Sequence, residues 1–419
     1  MSNLILSAET VLPVSSKPLE DHAVAVSEGK IVDLGTPALL AKKHKNFKHV
    51  KLGKGILMPG FINAHIHLEL GWIQPHIGNF SNFTEWLSQI ITAKKTHKLS
   101  RQELQESVIK GINTLVSCGV TTVGEISSFG GADVPVLTNS GLRSVIFEEL
   151  FDKDTELVKD KVYGSEGLVE TRPFPHAPYS CSPALLNEVF KFSKKTGTPT
   201  GIHLAESPEE TDFIRQKKNS FETKIFPLIE KNNFKRPKAK NPVDYLGKYN
   251  KRLNTKTTII HAVQVNKDDV RILKDGQVGI VLCPRSNLFL KVGAPPLKHL
   301  VRIKRLGLGT DGLSSNYNLD FFEEMTALHL LFSKFMGKES SYQTVYCATL
   351  GGAKSLFIEE NTGSIEPGKE ADLIFLSYRR KPSDPYLQVL RSGSRNLQFN
   401  MVAGKVVWSR EDKYKDLNG

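Results

Sequence analysis

From about residue 56 to residue 360 the chain alternates short β-rich runs with segments of helical length, and this alternation constrains the fold more than any other feature. The strand-like runs are Phe61–His67, Val120–Glu125, Arg143–Glu148, Gly167–Glu170, Pro199–His203, Thr257–His261, Val278–Cys283 and Leu306–Asp311. They are short and rich in Val, Ile and Thr, as strands are. Between them, Arg101–Ser117 and Ala184–Lys195 space their apolar residues as amphipathic helices do. Eight β-α units predict an α/β fold, a (β/α)8 TIM barrel, whose chemistry sits at the C-terminal ends of the strands. A doubly wound open sheet would need a Gly-rich phosphate turn after an early strand, and the sequence has none.

Both ends of the chain are β-rich. Leu4–Leu6, Ala23–Val26 and Lys30–Gly35 stand at the start; Ala371–Leu376 and Asn400–Trp408, the latter broken by a hairpin-type Ala403-Gly404, stand at the end. The expected organisation is a small β-sandwich domain built from both termini, residues 1–57 plus 363–419, beside a catalytic barrel over 58–362. A chain of 419 residues has room for a barrel of about 250 residues and such a second unit.

A net charge of +12 raises the question of nucleic acid. The excess is lysine scattered along the chain, with a local cluster from Lys231 to Lys256, and no basic–aromatic interleaving accompanies it. A solvated, lysine-rich surface is the expectation, with no nucleic-acid partner. No apolar run approaches the roughly 20 residues that span a bilayer, and Met1–Leu6 lacks the basic start of a signal peptide. The four cysteines (118, 181, 283 and 347) are dispersed and read as reduced thiols of a cytoplasmic protein with no membrane partner.

The polar residues of interest fall where barrel strands end. His65 and His67 lie two apart, so on a strand both rings project to one face. His203 closes the fifth strand, His261 the sixth and Asp311 the eighth. A lone histidine at a strand end is usually structural, but four histidines and an aspartate at one end of a barrel form a metal-site pattern. Imidazole and carboxylate together suit Zn²⁺ or Fe²⁺. Glu206, one step beyond the fifth strand, can face the cavity without binding metal, as a proton shuttle to a substrate nitrogen. Glu209 and Glu210 fit better as first-turn acids of the following helix.

The ordered set Pro59-Gly60-Phe61-Ile62-Asn63-Ala64-His65-Ile66-His67, His203-Leu204-Ala205-Glu206, His261 and Thr310-Asp311-Gly312 resembles the amidohydrolase superfamily over nearly the whole chain. Gly363–Leu373 resembles that superfamily's return from barrel to sandwich. Binuclear members carry a carboxylated lysine at the end of the fourth strand, where this chain has Pro175-His176-Ala177. The resemblance therefore implies one divalent metal, Zn first and Fe as the alternative, held by His65, His67, His203 and Asp311. It also implies that His261 contacts water or substrate.

Phe83–Leu87, His176–Ser180, Cys283–Asn287 and Asp311–Asn316 are similar to the chlorohydrolase/nucleoside deaminase branch. The implied activity is hydrolytic deamination at C6 of an adenine nucleoside, a small-molecule partner. Asp311 would take a proton from water, Glu206 would protonate N1 and His261 would stabilise the tetrahedral centre. Trp86 would wall or stack on the nucleoside, His176 would contact it and Ser315 would lie near the purine. Nucleoside deaminases place a glutamate about nine residues beyond the Trp86 position to grip the ribose; this chain has Ala93-Lys94-Lys95-Thr96 there. Lysine cannot accept a hydrogen bond from a diol, but it can attract a carboxylate such as the benzoate of aminodeoxyfutalosine. Arg143 and Arg285 are further candidates for that role. Val123–Ser127 and Gly312–Asn316 are more similar to the aminodeoxyfutalosine deaminases of menaquinone biosynthesis than to the other branches. The alternatives are a methylthioadenosine, S-adenosylhomocysteine or adenosine deaminase, or a chlorohydrolase-like enzyme. A homodimer is compatible with the sequence.

Overall fold

The computed structural model describes residues 3–418 apart from 157, 159–160 and 230–237, so the first part of the lysine cluster lies outside the described residues. Strands β1 (Leu4–Val11), β2 (Leu19–Ser27) and β3 (Lys30–Gly35) form an antiparallel meander. The turn between β2 and β3 is Glu28-Gly29, both in the left-handed region at φ 51° and 80°. Strand β4 (Lys48–Pro59) then lies parallel to β1. Gly60 carries the chain from this sheet into the barrel. A Cβ there would stand 2.1 Å from Thr121 Cγ2, so the close approach requires glycine.

The barrel strands are β5 (Phe61–Ile66), β6 (Val120–Ser127), β7 (Arg143–Leu150), β9 (Val169–Pro175), β10 (Thr200–Leu204), β11 (Thr257–His261), β12 (Val278–Leu282) and β13 (Leu306–Leu308); β8 (Ser165–Glu166) is a short antiparallel addition on β9. The paired barrel strands run parallel in two arcs, β5-β6-β7-β9 and β10-β11-β12-β13. Hydrogen bonds join the arcs at both seams. Thr200 Oγ1 donates to Pro173 O at 2.6 Å and His203 N to His176 O at 3.0 Å; Asp311 N donates to His65 O at 3.0 Å. Most of these strands are buried along their whole length, which is why they read as continuous apolar runs rather than alternating ones. Ile62, Val145, Phe147, Phe174, Ile260 and Val281 fill the interior. The helix Leu350–Ser355 packs close beneath: a Cβ on Gly279 would lie 2.2 Å from Ser355 O.

Strand β14 (Leu373–Ser377) returns beside β4, followed by β15 (Leu397–Val402) and β16 (Lys405–Ser409), giving one sheet in the order β16-β15-β14-β4-β1-β2-β3. Its ends come together. Ile31 N donates to Lys369 O and Ala371 N to Gly29 O, each at 2.8 Å. Leu6, Val24, Val26 and Ile31 share one core with Phe399, Met401 and Tyr414, the arrangement of a sandwich. The chain thus has the α/β barrel-plus-sandwich architecture read from its sequence. The four cysteines are free and buried, and no described helix is long and apolar enough to cross a membrane.

The strand ends differ from the sequence reading, most of all at four strands: β6 runs past Glu125 to Ser127, β7 past Glu148 to Leu150, β9 extends to Pro175, and β13 stops at Leu308 so that Asp311 lies beyond the strand. Prolines at 173 and 175 mask β9, because they lack the N–H that a ladder normally uses.

Candidate metal centre and active site

Strand β5 ends by turning His65 and His67 inward, with ring centroids 5.0 Å apart and planes at 90°. His203 at the end of β10 stands 5.0 Å from His65 and 5.5 Å from His67. Asp311 Oδ1 lies 3.5 Å from His65 Nε2 and 3.7 Å from His67 Nε2. His261 joins from β11, 5.7 Å from both His65 and His203. Donor atoms of His65, His67 and Asp311 lie within 4.8 Å of one another, as do those of His65, His203 and His261. The site residues placed on separate strands by the sequence are therefore brought to one point.

The surroundings fix each side chain. His203 Nδ1 faces the His176 carbonyl at 3.0 Å, which directs Nε2 toward the centre. Asp311 Oδ2 accepts from Ser286 Oγ at 2.7 Å and Oδ1 from its neighbour Gly312 N at 2.8 Å. His261 Nδ1 pairs with Asn287 Oδ1 at 3.1 Å, leaving Nε2 3.4 Å from Glu206 Oε1. Glu210 accepts from Ala205 N and Glu206 N, each at 2.9 Å, and so pins the loop that presents Glu206. Gly309 lets β13 close on the histidine strand: a Cβ there would lie 2.8 Å from His65 Cβ. Ala205, His261 and Asp311 all hold left-handed backbone, at φ 57°, 74° and 59°. Such conformations cost of order 1–3 kcal/mol each and cluster where function demands them.

Burial sets the protonation states. It pushes His67 down to about 3, helped by the charge of His65, and His261 down to about 4. His203 is held well below its ordinary value by the same burial and the neighbouring histidines. Burial works to raise Asp311, but the facing imidazoles, His65 first and then His67 and His261, bring it well below the usual carboxylate range. Glu206 goes the other way: burial first, then Asp311 and Glu210, hold it well above. Within one cluster the aspartate is thus pushed down, the glutamate up, and the imidazoles of His67, His203 and His261 below their ordinary value.

Both ring nitrogens of His65, and Nδ1 of His67, are buried with no hydrogen-bond partner. Orphaned donors and acceptors of this kind are rare unless something else satisfies them. Neutral imidazoles and one carboxylate are the donor set that a divalent metal such as Zn²⁺ takes. The residues fit a metal.

Above the cluster opens a cavity of about 490 Å³. Trp86, His176 and Ser315 all line it, with His67, His203, Glu206, His261 and Asp311 at its floor. Trp86 is fixed by its Nε1–H to Ser314 O at 2.8 Å, Ser315 Oγ donates to Gly312 O at 3.1 Å, and His176 Nδ1 meets Ser180 Oγ at 2.6 Å. Leu70, Leu87, Ile90 and Phe226 make much of the wall apolar, and Lys94 and Lys95 stand on it. Arg143 and Arg285 do not. Arg143 begins β7, at the opposite end of the barrel, and binds Asp372 through Nε at 2.8 Å and Nη2 at 3.2 Å. Arg285 is taken by Asn318 at 3.0 Å and Glu323 at 2.8 Å. Their place as carboxylate-binding candidates is corrected: both cations already have partners away from the cavity.

The sequence reading missed Glu149, Ser286 and Asn287 as site residues, and it placed Glu210 in the first turn of its helix, where it is found, without its role in holding the Glu206 loop. Glu149 lies one residue past the point where it ended β7, and its side chain is 4% exposed. Charges on His176, Lys94 and His67 hold it below the usual carboxylate range although burial opposes them. The signal that could have found it is position: the C-terminal end of a barrel strand.

A parallel eight-stranded barrel with its ionisable groups converging at the strand ends is the framework of a hydrolase. The sequence pattern of the amidohydrolase family matches residues 56–407, and the chain belongs to that family. It is 25% identical over 433 residues to a 5-methylthioadenosine/S-adenosylhomocysteine deaminase of Moorella thermoacetica, covering 98% of this chain and 95% of that protein. The crystal structure of Helicobacter pylori aminofutalosine deaminase with methylthio-coformycin superposes with a TM-score of 0.83 at 26% identity, covering 96% of this chain and all of the other. An adenosine deaminase of Xanthomonas campestris with bound zinc shares the fold, with a TM-score of 0.81 at 24% identity over 97% of this chain and 92% of its own.

Proposed function

We propose that the chain is a hydrolytic deaminase that removes the C6 amino group of an adenine nucleoside, with 6-amino-6-deoxyfutalosine as its substrate in the futalosine route to menaquinone, acting in the cytoplasm. The observation that carries the reaction type is the pair of buried carboxyls at the cavity floor, Asp311 against His65 and His67 and Glu206 against His261, pushed in opposite directions, Asp311 below and Glu206 above the usual carboxylate range. Such pairs divide base and acid roles.

His65, His67, His203 and Asp311 would hold one divalent metal, zinc in our reading. When bound, that metal supplies the Lewis acidity that makes water a nucleophile near neutral pH. Asp311 accepts the proton that the attacking water loses. Glu206 gives its proton to N1 of the purine, which becomes basic as C6 turns tetrahedral. His261, turned by Asn287, directs Nε2 to the oxygen that adds at C6. The proton on Asp311 passes to the amino group, ammonia leaves, and the remaining hydroxyl proton at C6 returns to Glu206 as the carbonyl forms. Trp86 walls the purine, with His176 and Ser315 along its edge. The lysines at 94 and 95 support a substrate bearing a carboxylate on the far side of its sugar.

A second reading, a methylthioadenosine or S-adenosylhomocysteine deaminase, is favoured by the relatives of that name and by the apolar wall. Ultraviolet deamination assays on aminodeoxyfutalosine, methylthioadenosine, S-adenosylhomocysteine and adenosine decide between them. The first reading expects the highest kcat/KM on aminodeoxyfutalosine; a higher value on methylthioadenosine establishes the second.

A further inference from the structure

The cavity holds a second kind of buried carboxylate, which the chemistry above does not use. Glu149 projects from the end of β7 into the cavity wall and is more than nine-tenths buried. Its Oε2 accepts from Ser128 Oγ at 2.7 Å. Its Oε1 faces His176 Nε2 at 3.7 Å, too far for a hydrogen bond, and among the described residues no other donor reaches it. An acceptor anchored on one side and open on the other, beside a substrate cavity, asks for a donor from the substrate.

We infer that Glu149 accepts hydrogen bonds from the sugar hydroxyls of the substrate and so makes the site selective for ribonucleosides. The inference rests on the adenine-nucleoside reading given above. Two adjacent hydroxyls offer two O–H donors, and a carboxylate can accept both. The other carboxylate of that wall, Asp152, already accepts from Ser182 N through Oδ1. Lys94 and Lys95 are donors only, and the Lys95 ammonium is turned to Leu228 O. Asp311 and Glu206 are committed to the floor. Position agrees as well: Glu206, His261 and Asp311 follow β10, β11 and β13, so the reacting edge of the purine points to that side and the sugar falls toward β7 and β9. A cation is the weaker occupant. Glu149, His176 and His203 do place donor atoms within 4.8 Å. However, His203 also belongs to the cluster with His65 and His261, where its Nε2 is directed, so Glu149 and His176 are left as only two donors.

The test compares metal-loaded wild type, E149A and E149Q on 5′-methylthioadenosine and adenosine and on their 2′-deoxy and 3′-deoxy counterparts, together with Kd values for inosine and 2′,3′-dideoxyinosine. A charge-assisted hydrogen bond of ordinary strength predicts that wild type favours the ribonucleoside by about 10- to 100-fold in kcat/KM, mostly through KM. E149A should fall to the deoxy level on the ribo substrates and lose nothing further on the deoxy ones. E149Q, which keeps the shape and one acceptor, should lie between, as should S128A, which frees the anchor. The ratio of the two Kd values should collapse in E149A in the same way. If E149A keeps the wild-type preference, or loses equally on ribo and deoxy substrates as it would by merely holding His176, the inference is overturned. Failure of wild type to deaminate or bind any of these nucleosides overturns instead the adenine-nucleoside reading itself.

Discussion

Two groups of buried carboxyls lie within a few residues of the histidine strand, and they are built differently. At the cavity floor, Asp311 sits against His65, His67 and His261 and is held below the usual carboxylate range, while Glu206 is held above it. Behind the floor, Glu69, Glu125 and Asp133 have no such neighbours. Burial raises all three, and repulsion from Asp133 adds to it at Glu69 and Glu125, taking Glu69 to about 7. Glu125 accepts from Leu68 N at 2.9 Å, Glu69 from Ser128 N at 2.6 Å and Phe129 N at 3.0 Å, and Asp133 from Ser127 Oγ at 2.7 Å. Equal burial thus gives an acid–base pair in one place and a structural clamp in the other. Whether imidazoles face the carboxyl decides which.

The largest effect should come from breaking the floor. Stripping the metal with a chelator should abolish turnover and zinc should restore it, and H65A or D311N should purify with substoichiometric metal. Stoichiometric zinc in both variants, by elemental analysis, would remove these residues from the ligand set. Next, E206Q keeps shape and burial but has no proton to give, so kcat should drop by about 10²–10⁴ with metal content unchanged. Retention of most of the turnover would show that Glu206 is not the acid. Smaller again is S286A. It removes the hydroxyl that orients Asp311 at 2.7 Å, and losing such an outer partner typically costs 10- to 100-fold in metal affinity or activity. Wild-type zinc affinity and kcat in S286A would mean that Gly312 N alone holds the carboxylate.

The same contrast explains how far the sequence could be read. The metal cluster was legible because its residue types are distinctive and barrel topology sends every strand end to one rim. His65 and His67 needed only a period of two. The residues that steer the cluster were not legible. Asn63 donates to Thr310 Oγ1 at 2.8 Å across 247 residues, and Ser286 and Asn287 gain meaning only once β12 stands between β11 and β13. Strand ends were the weakest part of the reading, since β7 and β9 run on past the residues that close their apolar runs, while β13 stops short of the left-handed Asp311. Glu149 was lost to that error by a single residue. The charges at Arg143 and Arg285 misled for a related reason, as nothing local shows that Asp372 and Glu323 already face them.

The clamp behind the floor gives the smallest effect and the cleanest separation of the two groups. A carboxyl raised from 4.5 to about 7 on folding holds its proton in the folded state where the unfolded chain has released it. Its contribution to stability is complete below pH 4.5 and declines as pH rises to 7, by at most about 3 kcal/mol for a shift of this size. E69Q carries no proton to lose. Its side-chain oxygen can still accept from Ser128 and Phe129, and its amide can donate to Asp133, whose Oδ2 lacks a partner. Thermal unfolding of the zinc-loaded protein should therefore show wild type losing several degrees relative to E69Q between pH 5 and pH 8, with kcat nearly equal in the two. Parallel pH profiles would mean that Glu69 is ionised in the folded state. An equal loss of kcat would join the clamp to the chemistry and end the distinction between the two carboxyl groups.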